Sequence, residues 1–149
     1  VMDVLKSLFG GKSRAANEDE LSPHVAATAL LVEAALADGI YAHMEAERIK
    51  QILKEAFDLE EAEAEAVLSE GEDLAEEAVD HYRFTKIVKE NLPLEKREKL
   101  VEHLWSVVFA DGERAAEEDS FIRRVAPLLA VEDRARVLAR KRAEDEADA

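Results

Sequence analysis

From Ser22 onward, apolar residues recur at three- and four-residue spacing, and no segment alternates as a half-buried strand would. Ser22-Pro23 offers an N-cap followed by proline at the first helical position. Val25, Thr28, Ala29, Val32, Ala35 and Leu36 then predict a first main helix ending near Asp38-Gly39. Met44, Ile49, Ile52, Leu53 and Ala56 predict a second, from about His43 to Ala56. Asp58 with Glu61 makes a capping-box-like start to a third, which the pattern ends near Glu70, before Gly71. A fourth carries Val79, Phe84, Ile87 and Val88, with a bend near Asp80, and stops at Asn91. Pro93 opens a fifth with Leu100, Leu104, Val107 and Val108 as its stripe, widened by Val101 and Trp105. A sixth from about Ala116 buries Phe121, Ile122, Val125, Leu128 and Leu129, and a seventh runs from Glu132 to about Ala143. Ahead of these, Leu5, Leu8 and Phe9 suggest a short amphipathic helix. The expected organisation is that helix and a linker over residues 1–20, an all-α domain of about seven helices over 21–143, and an acidic tail over 144–149.

The pattern also repeats. Residues 37–53 align without a gap to 110–126, matching Ala37/Ala110, Asp38/Asp111, Gly39/Gly112, Ala42/Ala115, Glu45/Glu118 and Ile49/Ile122 at an offset of 73 residues. Each half is expected to be a long helix, an Asp-Gly corner, and a second helix entered through a Glu in its first turn. Two such pairs can bury their stripes around one core.

Charge narrows the function. Against 20 Lys and Arg stand 35 Asp and Glu, for a net charge of -15. Nucleic acid is excluded as a partner, because phosphate neutralisation needs a Lys/Arg-rich face. The absence of cysteine excludes disulfides, thiolate metal sites and cysteine nucleophiles. The most apolar stretch, Val25 to Ala37, is interrupted by Thr28 and Glu33 and is too short to span a bilayer, so no transmembrane segment is expected and a cytoplasmic protein is. Between Asp58 and Asp80 lie 11 acidic residues and no Lys or Arg, whereas Arg123 to Arg142 holds seven basic residues against Glu132 and Asp133. That complementarity suits either a C-terminal helix lying near the acidic one or a face that docks a protein partner. Tyr41, Tyr82 and Trp105 are candidate aromatic anchors, with Trp105 favoured as core.

No serine-nucleophile motif or phosphate loop is present, and catalysis is not expected. The four histidines lack metal-site spacing; His43 lies near Glu45, but its counterpart in the repeat is Ala116. Asp38 with Glu45 and Asp111 with Glu118 remain as candidate metal ligands. Each pair spans one corner and can present two carboxylates to a hard divalent cation, Ca2+ or Mg2+. Helix capping accounts for the same four residues without any cation.

The two ADG-x5-E corners, together with FTKIVKENL (Phe84 to Leu92), LVEHLWSVVFADG (Leu100 to Gly112) and FIRRVAPLLAV (Phe121 to Val131), resemble the tellurite-resistance TerB family, in particular its TerB-like proteins found in bacteria. The resemblance runs from about Leu5 to Arg142. It implies an all-helical fold of about seven helices with pseudo-twofold repeats, links to tellurite and other chemical stress, membrane-associated assemblies, and metal binding at acidic corners, which fall here on Asp38, Glu45, Asp111 and Glu118. Many relatives place Ser or Asp where this chain has Ala42 and Ala115, removing a cap and a ligand oxygen at both corners. The expected function is a non-enzymatic acidic binding scaffold of a bacterial stress system, with candidate divalent-cation sites at the corners. The alternative is a metal-free protein interaction module whose repeat is structural.

Overall fold

Ten of the 14 residues of the first helix, α1 (Pro23–Leu36), are buried, which requires neighbours on nearly every side. The computed structural model describes residues 21–77, 81–111 and 116–148. Among them the neighbours are five α-helices that pack on α1: α2 (His43–Ala56), α3 (Glu61–Glu77), α4 (Tyr82–Asn91), α5 (Leu94–Val108) and α6 (Ala116–Leu128). A seventh, α7 (Asp133–Asp148), lies principally on α5, and a 3-10 turn over Phe109–Asp111 follows α5. The described residues contain no strand. The expectation of an all-α fold with about seven helices holds.

Local chemistry sets the boundaries. Ser22 Oγ accepts from the His24 amide at 3.1 Å, and Pro23 begins α1, as predicted. Helix α1 ends at Leu36. The Gly39 amide then returns to the Leu36 carbonyl at 2.8 Å, with Gly39 in the left-handed region at φ 87°. Helix α2 occupies the predicted span. At the start of α3, Glu63 rather than Glu61 reaches back, its Oε1 accepting from the Glu60 amide at 2.9 Å, while Asp58 takes a left-handed φ of 59°. The capping role expected of Asp58 and Glu61 is therefore performed two residues later. Pro93 is the N-cap of α5. Met44 and Ala56, expected in the core, are exposed; at Met44 the inward position of the first turn of α2 belongs to Glu45. Val79, Asp80 and residues 1–20 lie outside the described residues.

Two departures from prediction concern where helices continue. Helix α3 passes through Gly71 to Glu77. The glycine is a contact, not a stop: a Cβ there would meet Thr28 Cγ2 of α1 at 2.6 Å and the Ala29 backbone nitrogen at 3.2 Å. A small residue lets the two helix backbones approach closely enough to bury α1. Helix α7 continues to Asp148, beyond the predicted end at Ala143, with Glu146 held 3.3 Å from Arg48 of α2.

The basic C-terminal stretch docks on α5 and not on the acidic α3. Glu102 of α5, 6% exposed, accepts from Arg142 Nε at 2.9 Å and from Lys99 at 3.3 Å. Burial opposes charge on Glu102, but these hydrogen bonds and the neighbouring positive charges outweigh it and lower its pKa. Ala139 and Ala143 complete the seam. Helix α3 instead pairs with α2, through Lys50 to Glu61 at 3.1 Å and Lys54 to Glu61 at 2.7 Å.

At the far end of α6 the chain turns sharply. The Val131 amide bonds the Ala126 carbonyl at 2.9 Å and the Ala130 amide bonds Pro127 at 2.9 Å, with Ala130 in the left-handed region at φ 58°. Arg97 secures this turn from α5, donating to the Leu129 carbonyl at 2.8 Å and to the Leu92 carbonyl at 3.0 Å.

Replacing Gly71 by Ala tests the helix contact. Helix propensity favours Ala by about 1 kcal/mol, but overpacking against Thr28 costs more, so a net loss of ~1–2 kcal/mol is expected from the urea midpoint. In a Thr28→Ser background, which removes Cγ2 and retains the hydroxyl, the loss should shrink; an equal loss in both backgrounds would place the strain elsewhere.

Candidate functional site

The first corner is built by the exit from α1 and the entry to α2. Asp38 Oδ1 accepts from the Ile40 amide at 2.9 Å, closing a local turn over Gly39. Glu45, the third residue of α2, is 0% exposed, and its Oε1 accepts from the Ala42 amide at 2.8 Å. That bond is half of a capping box. Its reciprocal half is missing, because Ala42 has no side-chain oxygen to offer. The two carboxylates of this corner therefore each engage a different backbone amide. Tyr41, between them in sequence, donates to Glu72 of α3 at 2.6 Å. Burial, that hydrogen bond, and the charges of Glu72 and Glu45 raise the phenol's pKa, so Tyr41 remains a donor and ties the corner to α3.

At the second corner, Glu118 is the third residue of α6 and only 2% exposed, the same place and the same burial as Glu45. Asp111 ends the 3-10 turn, and residues 112–115 between it and α6 lie outside the described residues. Among the described residues, no three His, Asp or Glu side chains are arranged to hold a metal ion. His43 is exposed at the first position of α2.

Of the aromatic anchors, Trp105 is fully buried, stacked on Phe109 and covered by the Arg140 guanidinium 5.1 Å from its ring. Tyr41 is half-buried. Tyr82, at the start of α4, is 59% exposed. The acidic stretch divides by partner. Glu61 and Glu65 meet Lys50, and Glu72 meets Tyr41. Glu70, Asp73, Glu76 and Glu77, in the last two turns of α3, have no ion pair or hydrogen bond among the described residues.

One feature is invisible to sequence spacing. The N-terminus of α1, the C-terminus of α2 and the middle of α5 enclose a cleft of about 540 Å³, reached from the far side by Glu146 of α7. His24 stacks on Phe57 in its lining, with ring centroids 4.4 Å apart and 12° between planes. His103 lies in its wall, its Nε2 buried without a hydrogen-bond partner among the described residues. Burial first, then the positive charge of Lys99 and to a lesser degree that of Arg48, push its pKa down to about 4 against the opposing charges of Glu102 and Glu55. His24, Phe57 and His103 are 33 or more residues apart in sequence, or separated by a helix boundary. The only linear signal was Lys96, Leu100 and His103 at i, i+4 and i+7 on α5.

Fold and site together define an acidic all-helical protein whose conspicuous carboxylates sit at helix starts. The family model described as tellurite resistance protein TerB matches residues 24–141, and the chain belongs to that family. Neither a curated protein nor a solved structure matches it. No helix among the described residues is long and apolar enough to cross a membrane.

His103 makes stability depend on pH with a defined sign. Its pKa is lower in the folded protein, about 4, than the ordinary 6.5, so the unfolded chain binds the extra proton first. The contribution is complete above pH 6.5 and is lost as pH falls from 6.5 toward 4, reaching on the order of 2 kcal/mol after discounting for residual exposure. Urea midpoints of the wild type minus those of His103→Gln should fall across that window; a flat difference would contradict a buried neutral imidazole.

Proposed function

We propose that this TerB-family chain is a non-enzymatic binding scaffold of a bacterial tellurite-resistance-type stress system, docking a basic segment of a protein partner on the C-terminal half of α3. The observation that supports it is the set Glu70, Asp73, Glu76 and Glu77. These charges crowd the negative end of the helix dipole, with no basic residue in the last turn and no ion pair among the described residues. Like charges one turn apart cost a few tenths of a kcal/mol per pair, and acids at a helix C-terminus add a similar penalty. Folding alone gives no reason to collect them. A cationic partner does, through long-range steering and complementary charge. In this reading the corners are structural, two uses of one helix-corner-helix unit in which a buried Glu caps the helix that follows.

Neutralising Glu70, Glu76 and Glu77 to Gln and Asp73 to Asn should leave the fold intact, or stabilise it by about 0.5–1 kcal/mol. It should also weaken binding of a synthetic Lys/Arg-rich peptide by ~10-fold or more at low salt. Neutralising Glu90, Glu95, Glu132 and Asp148 removes equal charge elsewhere. If both variants lose the peptide equally, α3 is not the docking face.

Burial of Glu45 and Glu118 at the same helical position favours a second reading, in which Asp38 with Glu45, and Asp111 with Glu118, each hold Ca2+ or Mg2+. Cation binding would then raise the thermal midpoint of the wild type and not of an Asp38→Asn/Asp111→Asn variant. Midpoints unmoved in both proteins up to about 10 mM cation leave the corners as helix caps.

A further inference from the structure

The cleft between α1, α2 and α5 has a charge pattern that neither the corners nor the acidic face requires. Its floor is apolar, formed by Leu92, Leu100 and Phe57, the last extended by the stacked His24 ring. One wall is positive: Lys96 lies in the first turn of α5, and Lys99 is one turn further along. Lys99 is partly engaged by Glu102 at 3.3 Å, whereas Lys96 has no ion pair among the described residues. The lining that α2 contributes is negative: Glu55 lies in the last turn of α2, and Asp58 just beyond it. Glu55 accepts only from the Gln51 amide at 3.1 Å, and neither carboxylate meets a cation among the described residues. The helix dipoles reinforce both walls, since the positive wall is at the start of α5 and the negative wall at the end of α2. His103, set in the cleft wall and subject to the charges of both Lys99 and Glu55, is neutral at pH 7 and cancels neither.

A cleft of this volume, with apolar side chains between Lys96 at the start of α5 and Glu55 and Asp58 at the end of α2, none of them in an ion pair among the described residues, is suited to a small molecule that carries both charges on an apolar body. We propose that the cleft binds a small zwitterion of the α-amino-acid class with an aromatic or large apolar side chain. The carboxylate faces Lys96 and Lys99, the ammonium faces Glu55 and Asp58, and the side chain lies on the Phe57 and Leu100 surface. A singly charged analogue meets only one of the two charge sets and forgoes the attraction of the other. Arg48 and Glu146 do not compete for the ligand, because they are engaged with each other at 3.3 Å and Arg48 Nε also donates to Ser106 at 2.6 Å.

The test uses three matched probes: L-phenylalanine with both charges, N-acetyl-L-phenylalanine with only the carboxylate, and L-phenylalaninamide with only the ammonium. Binding is followed by the imidazole proton resonances of His24 and His103 and by calorimetry on the full chain. The expected result is a saturable shift of both histidines with L-phenylalanine and affinities ~10-fold or more weaker for the other two. Lys96→Glu and Glu55→Lys, at exposed positions, should each weaken L-phenylalanine by a similar factor while leaving the circular dichroism of the protein unchanged. The proposal is overturned by any one of three results. These are no saturable shift up to about 10 mM, equal binding of a singly charged probe, or wild-type affinity in both variants. None of these outcomes bears on whether α3 binds a basic peptide.

Discussion

The burial of α1 on nearly all sides is the constraint on which the rest of the structure depends. A helix with no polar face gains stability only when other elements cover it, and here α2, α3, α4, α5 and α6 all do so. This dictates sequence far from α1 itself. A glycine stands at 71 because α3 passes so near Thr28 that a Cβ would collide with it, and Thr28 in turn donates to the His24 carbonyl at 2.7 Å so that its hydroxyl is not left unsatisfied inside the core. The covering helices then have one inner face against α1 and one outer face in water, which is where the excess of Glu and Asp resides.

Not all of that acid is on the outside. Glu45, Glu102 and Glu118 are buried, and the two whose bonds are described show different ways of meeting the cost. Glu102 is held charged by Arg142 and Lys99, so a side chain in the seam between α5 and α7 also fixes how α7 lies. Glu45 is turned toward the backbone, where the amide at the start of α2 would otherwise be an orphan donor. Burying a carboxylate at a helix start gives the corner a single geometry, because any other path of the chain leaves both the charge and the amide unmatched. The Tyr41 to Glu72 bond extends that constraint to α3.

Much of the fold was legible in the sequence because helices announce themselves by period and by caps. The Ser22-Pro23 start, the span of α2 and the Pro93 start of α5 follow from residues adjacent in the chain. Structure and sequence pattern part where a distant residue decides. Gly71 looks like a helix stop until Thr28 is seen beside it. Met44 fits the apolar stripe of α2, yet the inward place goes to Glu45. The same division holds for the candidate sites. Asp38 and Glu45 stand out in the sequence as candidates because a corner is local, whereas the cleft joins His24, Phe57 and His103 from three elements and leaves almost no linear trace. The acidic stretch was visible as composition, but only the structure separates the carboxylates with partners from those at the end of α3 without them.

The turn at Ala130 has a consequence for how the molecule comes apart. An alanine held at φ 58° carries roughly 1 kcal/mol of strain that a glycine would not, and it joins α6 to α7. That strain exists only while the turn is formed. When α7 lifts away and Ala130 relaxes, the strain is returned, so partial opening of the C-terminal helix is cheaper by that amount than its contacts with α5 alone would suggest. In hydrogen-exchange terms, the amides of α7 are expected to open before those of α1, which other helices cover on nearly every side.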